Sequence, residues 1–175
     1  MRQRKVVVYV AMSIDGYIAK EDEAMGLLPM LDNGSEDYAY AEFIKTIDTV
    51  VIGKDTYEQI TLRELDYLNK DKKYYVLDGS SIHEELGFEF YKGDIKSLVA
   101  TLKQSQGKDI FFNGGAELIQ HLLELNMIDK LIITVIPILL GDGIRLFPDG
   151  RPEQKLKLIS GQIFTKGLVQ LWYEK

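Results

Sequence analysis

The stretch from Ile110 to Leu123, IFFNGGAELIQHLL, constrains the fold more than any other part of the chain. Ile110, Phe111 and Phe112 make a short apolar run suited to a buried strand, Asn113-Gly114-Gly115 a sharp turn, and Ala116 to Leu125 has helical spacing in Ile119, Leu122 and Leu123. Two adjacent residues without Cβ let the backbone come close to a ligand. The helix behind them offers unpaired N–H groups and a partial positive charge to an anion. A glycine doublet is equally an ordinary turn between two core elements. The rest of the chain has to decide between a phosphate seat and a plain connector.

Around this unit the same pattern recurs. Lys5 to Met12, rich in Val and Tyr, suits a strand covered on both faces, and Ser13-Ile14-Asp15-Gly16 breaks it. Lys20 to Gly34 mixes charges, Gly, Pro and Met without a period and reads as a loop able to cover a site. Ser35 is placed to cap a helix with Tyr38, Ala41, Ile44 and Ile47 inward, ending at Asp48. Thr49 to Ile52 reads as a strand opening on Gly53-Lys54-Asp55-Thr56, Lys73 to Leu77 as a strand ending in Asp78-Gly79-Ser80, and Phe88 to Tyr91 as another. Asp94 caps a helix bearing Ile95, Leu98, Val99 and Leu102.

Beyond the central unit, Lys130 to Val135 reads as a strand, and Pro137 marks an edge, bulge or strand end before the Gly141-Asp142-Gly143 turn. Leu156 to Phe164 and Leu168 to Tyr173 form a hairpin about Thr165-Lys166-Gly167. Strand and helix alternate over the first two-thirds. That predicts a three-layer α/β domain, residues 1–175, with a mostly parallel central sheet and antiparallel C-terminal edge strands.

Composition narrows the chemistry. Across 175 residues the net charge is −6, which asks for neither nucleic acid nor an anionic membrane, so an anionic ligand must be held locally. The absence of cysteine removes disulfides, thiol nucleophiles and thiolate metal sites. With only His83 and His121 and no paired spacing, the expectation is no metal site and no serine triad. No run reaches the ~20 apolar residues of a membrane span, and the basic-then-apolar start runs into the domain without a small-residue cleavage site. A cytoplasmic protein is expected.

In an open α/β sheet, ligands bind beyond the carboxyl ends of the strands. Gly53-Lys54-Asp55-Thr56, Asp78-Gly79-Ser80 and Asn113-Gly114-Gly115 all follow strands, so all three are expected on one rim. Lys54 supplies a point charge for a phosphate and Thr56 a hydroxyl, although a lone lysine is more often a solvated surface residue. Neither GxGxxG nor GxxxxGK[ST] is present, so the pattern is neither a Rossmann fingerprint nor a P-loop.

The motifs SIDGYIA at Ser13 to Ala19, GKDTYE at Gly53 to Glu58, GGAEL at Gly114 to Leu118, Ile128-Asp129 and PILLGDG at Pro137 to Gly143 together resemble the dihydrofolate-reductase-like superfamily. The branch is the stand-alone proteins similar to the C-terminal reductase domain of the bifunctional riboflavin-biosynthesis deaminase/reductase. The resemblance implies the dihydrofolate-reductase-like fold and an NADPH-dependent reductase of a flat heterocycle, either a phosphoribosylaminouracil-like pyrimidine or a pteridine or folate. Main-chain groups of Ala11 and Ile18 would hold the nicotinamide carboxamide, Gly53, Lys54 and Thr56 the cofactor phosphates, and Asn113, Gly114, Gly115 and Ala116 the pyrophosphate.

The family usually has Arg at Lys54 and often Ser or Thr at Asp78. An acid at that strand end suits a ribose 2′-OH, so NADH is a further candidate cofactor. The Asp-x-Pro that riboflavin reductases tend to carry after this turn is missing between Glu58 and Tyr67.

For the proton donor, Asp37 is the first candidate and Asp15 the second, with Glu36 and Asp32 in the same region; first-turn acids also serve simply to complement a helix dipole. The apolar tail strands and Ile132 to Leu140 imply a homodimer that buries them. The contrasting possibility is a nucleotide-binding protein without turnover, its cofactor turn degenerate.

Overall fold

The structure is a computed structural model that describes residues 2–20, 27, 37–63, 71–77, 84–85, 87–150 and 153–175, with the main chain alone at 59–63 and 84–85. Its strands are β1 Val6–Ser13, β2 Tyr17–Ala19, β3 Ile47–Gly53, β4 Lys73–Leu77, β5 Glu84–Glu85, β6 Phe88–Tyr91, β7 Asp109–Asn113, β8 Lys130–Ile136, β9 Ile144–Arg145, β10 Lys157–Ile163 and β11 Val169–Glu174. The helices are α1 Tyr40–Lys45, α2 Lys54–Arg63, α3 Ile95–Gln104 and α4 Ala116–Glu124. Nine strands form one sheet in the order β10-β11-β8-β1-β7-β3-β4-β6-β5, while β2 and β9 pair separately. The strands from β8 to β6 run parallel; β11, β10 and β5 are antiparallel additions at the two edges.

Each face of the sheet has its own core. Val6, Val8, Val10, Ile110 and Phe112 pack under α3 and α4 through Leu98, Val99, Leu102, Ile119 and Leu122. Val7, Val50, Ile52 and Phe111 pack on the opposite face with Phe43 of α1 and Tyr57 of α2. The alternation explains why the β1 sequence is apolar nearly throughout: both of its faces are covered. This is the three-layer, mostly parallel arrangement that the strand–helix alternation implies.

The helix before β3 differs from the sequence expectation. It is only six residues long, buries Phe43 rather than Ala41, and stops before Ile47, which opens β3 together with Asp48. Tyr38 and Ala39 stand outside it in left-handed backbone, φ 50° and 61°. Such a conformation costs a non-glycine residue roughly 1–2 kcal/mol and delays the first helical turn to Tyr40. Ser35 and nearly all of the Lys20 to Gly34 loop lie outside the described residues.

The amino end of the sheet is closed by charge pairs. Asp109, 1% exposed, accepts from Arg2 at 2.8 Å and from the Lys5 N–H at 3.0 Å. The buried Arg4 guanidinium is bound by Asp48, Thr49 and the Lys108 carbonyl.

Candidate active site

Two glycine turns meet at the carboxyl end. Ile52 of β3 is the register partner of Asn113 of β7, and Gly53 that of Leu77 of β4, so the chain leaves β3 and β7 side by side. From these points α2 starts directly at Lys54 and α4 at Ala116. The α4 N-cap is Gly115, which provides no side-chain acceptor, so the cap residue leaves the first N–H groups of that helix unbonded by any side chain of its own. Two helix N-termini, each with its partial positive charge, therefore stand on one lip.

The glycines there do different work. A Cβ on Gly114 would stand 2.5 Å from the Leu118 side chain, so that position is bare because the turn packs on its own helix. A Cβ on Gly53 or Gly115 would have no heavy atom within 4 Å. At those two positions the space above the backbone is open, which is the clearance a diphosphate needs. Lys54 is exposed and Thr56 half-buried in the first turn of α2. The same first turns also carry acids, Asp55 in α2 and Glu117 in α4.

Beside this lip the sheet forks. β1 pairs with β7 only through Val8↔Phe112 but with β8 as far as Ser13↔Ile136. Alternate residues of a strand direct their main-chain groups to alternate sides. The Lys5 carbonyl accepts from Ile110 on the β7 side, and the Val6 carbonyl from Asp129 on the β8 side. The N–H and C=O of Ala11 are thus turned toward the β7 side, past the last rung of that ladder. Ile18 lies nearby in the β2 ribbon; its carbonyl accepts from the Leu27 N–H at 3.1 Å and keeps one lone pair. Asp78 lies outside the described residues.

The two candidate acids differ in what their carboxylates hold. The Asp15 carboxylate accepts from Ser13 Oγ at 2.5 Å, the Gly141 N–H at 2.7 Å and the Leu140 N–H at 3.1 Å. The Ser13 hydroxyl, followed by the Gly141 N–H, holds its pKa down to about 2. At neutral pH such a carboxylate has no proton to give. Asp37 is exposed and accepts from the Ala39 and Ala41 N–H groups at 3.1 and 3.0 Å, capping α1.

A buried polar network went unread in the sequence. Gln170, fully buried, directs its Nε2 to Tyr9 Oη at 2.9 Å, the Tyr38 carbonyl at 3.0 Å and Thr134 Oγ1 at 3.0 Å, while its Oε1 accepts from Trp172 Nε1 at 2.7 Å. Tyr9 Oη donates to the same Tyr38 carbonyl at 2.9 Å, so two bonds hold the left-handed turn at Tyr38. Burial pushes the Tyr9 hydroxyl pKa up, against hydrogen bonds from Gln170 and Thr134. A tyrosine amid valines, and a glutamine amid apolar strand residues, were the available signals: each brings a polar end that needs a partner when buried.

Fold and lip together define a dihydrofolate-reductase-like α/β domain with two glycine turns at the carboxyl end of its sheet. The RibD C-terminal domain family matches residues 45–170, and the chain belongs to that family. YwjB of Bacillus subtilis (strain 168) is 39% identical over 98% of each chain, and YyaP of the same organism 28% identical over 99% of this chain and 96% of its own. Among solved structures, a putative riboflavin biosynthesis protein from Shewanella sp. PV-4 superposes with TM-score 0.81 at 24% identity, covering 97% of this chain and 98% of that one. Dihydrofolate reductase from Enterococcus faecalis, complexed with NADP(H) and RAB-propyl, gives 0.67 at 17% identity over 98% and 96%. Acinetobacter baumannii RibD gives 0.67 at 22% over 98% of this chain and 58% of its own.

Proposed function

We propose that the chain is an NAD(P)H-dependent reductase of a flat heterocycle, an aminopyrimidine or a pteridine. One observation carries the reading: the open positions over Gly53 and Gly115, at the ends of adjacent strands, each lie at a helix N-terminus and beside the fork that receives the main-chain groups of Ala11. Gly53, Lys54 and Thr56 on one side, with Asn113, Gly114, Gly115 and Ala116 on the other, hold the diphosphate. Ala11 and Ile18 orient the carboxamide through main-chain groups. The reduced nicotinamide, when bound, supplies the hydride. The chain contributes alignment, exclusion of water and a proton route. Since Asp15 is clamped, Asp37 is the side chain assigned to that route; its neighbour Tyr38 shares a core cluster with Ala11.

Asp55 and Glu117, each opposing an anion at a helix start, favour a second reading: a nucleotide binder without turnover, whose degenerate cofactor turn no longer holds NADPH tightly. Titrating NADPH and NADH against intrinsic fluorescence, then following the reduced-nicotinamide absorbance with dihydrofolate, dihydropterin and aminopyrimidines, separates the two. Binding with oxidation by one acceptor supports the reductase, binding without oxidation the second reading, and no binding of either nucleotide removes both.

We also propose a homodimer through β10. All seven of its residues are exposed, no described strand pairs its outer edge, and Leu158, Ile159 and Ile163 are 53%, 50% and 78% exposed. A second copy covers both the edge and its apolar face.

A further inference from the structure

Arg145 stands apart from the other arginines whose side chains are described. Arg2 and Arg4 are ion-paired, to Asp109 and Asp48. Arg145 is exposed and has no carboxylate partner among the described residues, in a chain of net charge −6. It is nevertheless held in place. Its Nη2 donates to Tyr17 Oη at 3.0 Å, and its guanidinium carbon lies 4.8 Å from the centre of the Tyr17 ring. Tyr17 is its register partner in the β2–β9 ribbon and is itself buried. A guanidinium fixed on an aromatic face keeps its remaining N–H groups directed outward, with less side-chain entropy to lose on binding an anion.

The ribbon sets Arg145 beside the lip. The Leu146 N–H donates to the Gly16 carbonyl at 2.9 Å in the turn that ends β1. Leu146 is fully buried in the cluster of Val10, Ile18, Phe112 and Ile119. The Arg145 carbonyl accepts from Gln120 Nε2 at 2.9 Å, and Gln120 is four residues into α4, roughly 6 Å along the axis from its start. Its main chain is therefore anchored both to the end of β1 and to the second turn of the helix that follows Gly115.

We propose that Arg145 is the second cation of the diphosphate seat, holding a phosphoryl oxygen of a bound dinucleotide from the β1 side of the glycine turn while Lys54 holds the β3 side. This rests on the reductase reading of the lip and adds to it a residue outside the glycine turns. It also offsets the acids of the two first turns, and a guanidinium forms the paired hydrogen bonds to phosphate that an ammonium does not.

The test is calorimetric titration of the full chain and of Arg145→Gln and Arg145→Lys with NADH, NADPH and reduced nicotinamide riboside, which lacks phosphate. Arg145→Gln is expected to weaken both dinucleotides by at least about tenfold and by the same factor, to leave the riboside unchanged, and to be partly rescued by Arg145→Lys. Inorganic pyrophosphate should compete with NADH in the full chain and compete less well in Arg145→Gln. Dinucleotide affinities within twofold of the parent, or equal losses for dinucleotide and riboside, overturn the assignment while leaving the reductase reading standing. A parent chain that binds neither dinucleotide overturns both.

Discussion

Ile52 and Asn113 are register partners on adjacent parallel strands, which brings the turn after residue 52 and the turn after residue 113 to one place. The glycines of those turns should separate binding from stability. Gly115→Val adds a side chain into open space at a backbone of φ −70°, which any residue adopts, so thermal stability should be close to the parent while NAD(P)H affinity falls by at least about tenfold. Gly114→Ala drives a Cβ to 2.5 Å from Leu118 and should cost about 1–3 kcal/mol by denaturant unfolding. A Gly115→Val variant that binds both nucleotides like the parent would show that nothing occupies the clearance.

Lys54, exposed at the first position of α2, tests which nucleotide is preferred. If its ammonium meets a 2′-phosphate, Lys54→Ala should weaken NADPH about tenfold and NADH by much less. Equal losses would assign Lys54 to the diphosphate common to both.

Asp15 gives a pH signature. Its folded pKa, about 2, lies below the ordinary carboxylate value, so its contribution is present in full above that value and is lost as pH falls toward 2. Asp15→Asn should therefore melt below the parent at neutral pH, with the gap closing as the pH drops from about 4 toward 2. A gap that stayed constant over that range would mean that Asp15 acts by packing alone, without its charge on the Leu140 and Gly141 N–H groups.

Gln170 holds Tyr9, Thr134, Tyr38 and Trp172 together, and indole N–H can only donate, which fixes the amide orientation. Gln170→Leu strands the Trp172 N–H and loosens the left-handed turn, so it should cost about 2–3 kcal/mol, against about 1 kcal/mol for Tyr9→Phe. The chain has a single tryptophan, so its emission reports the change directly. Loss below about 0.5 kcal/mol in Gln170→Leu would place the network outside the stability of the fold.

The sheet was legible because its strands are short apolar runs punctuated by glycine and its amphipathic helices carry clear periods, as in Leu98, Val99 and Leu102 of α3. The lip was legible because Gly53 and Gly115 advertise their turns. Sequence periodicity failed where tertiary contacts overrule local preference. Tyr38 reads as the inner face of a helix, yet its carbonyl is held in a left-handed turn by Tyr9 and Gln170, 29 and 132 residues away in sequence. The β2–β9 ribbon has too few residues to show a period, and its partners lie more than a hundred residues apart. Asp15 is legible as an acid next to a strand end, but its hydrogen bonds to the Leu140 and Gly141 N–H groups join residues 125 and 126 positions away, which local sequence does not reveal.

The β10 edge yields the last prediction. An unpaired edge strand with Leu158, Ile159 and Ile163 on its surface invites pairing, and a stable dimer needs about 800 Å² buried per partner, more than those side chains supply alone. The β11 residues Val169, Leu171 and Tyr173, half-buried beside them, extend the patch across the neighbouring strand. The parent should therefore sediment at twice the 20.0 kDa of one chain, with a melting temperature that rises with concentration. Ile159→Lys combined with Ile163→Lys should sediment as a monomer with an unchanged far-ultraviolet spectrum, because both side chains already stand in solvent in the single chain. A parent that sediments as a monomer at all concentrations tested, or a double variant that remains dimeric, would remove β10 as the contact and leave its apolar surface without a partner of its own kind.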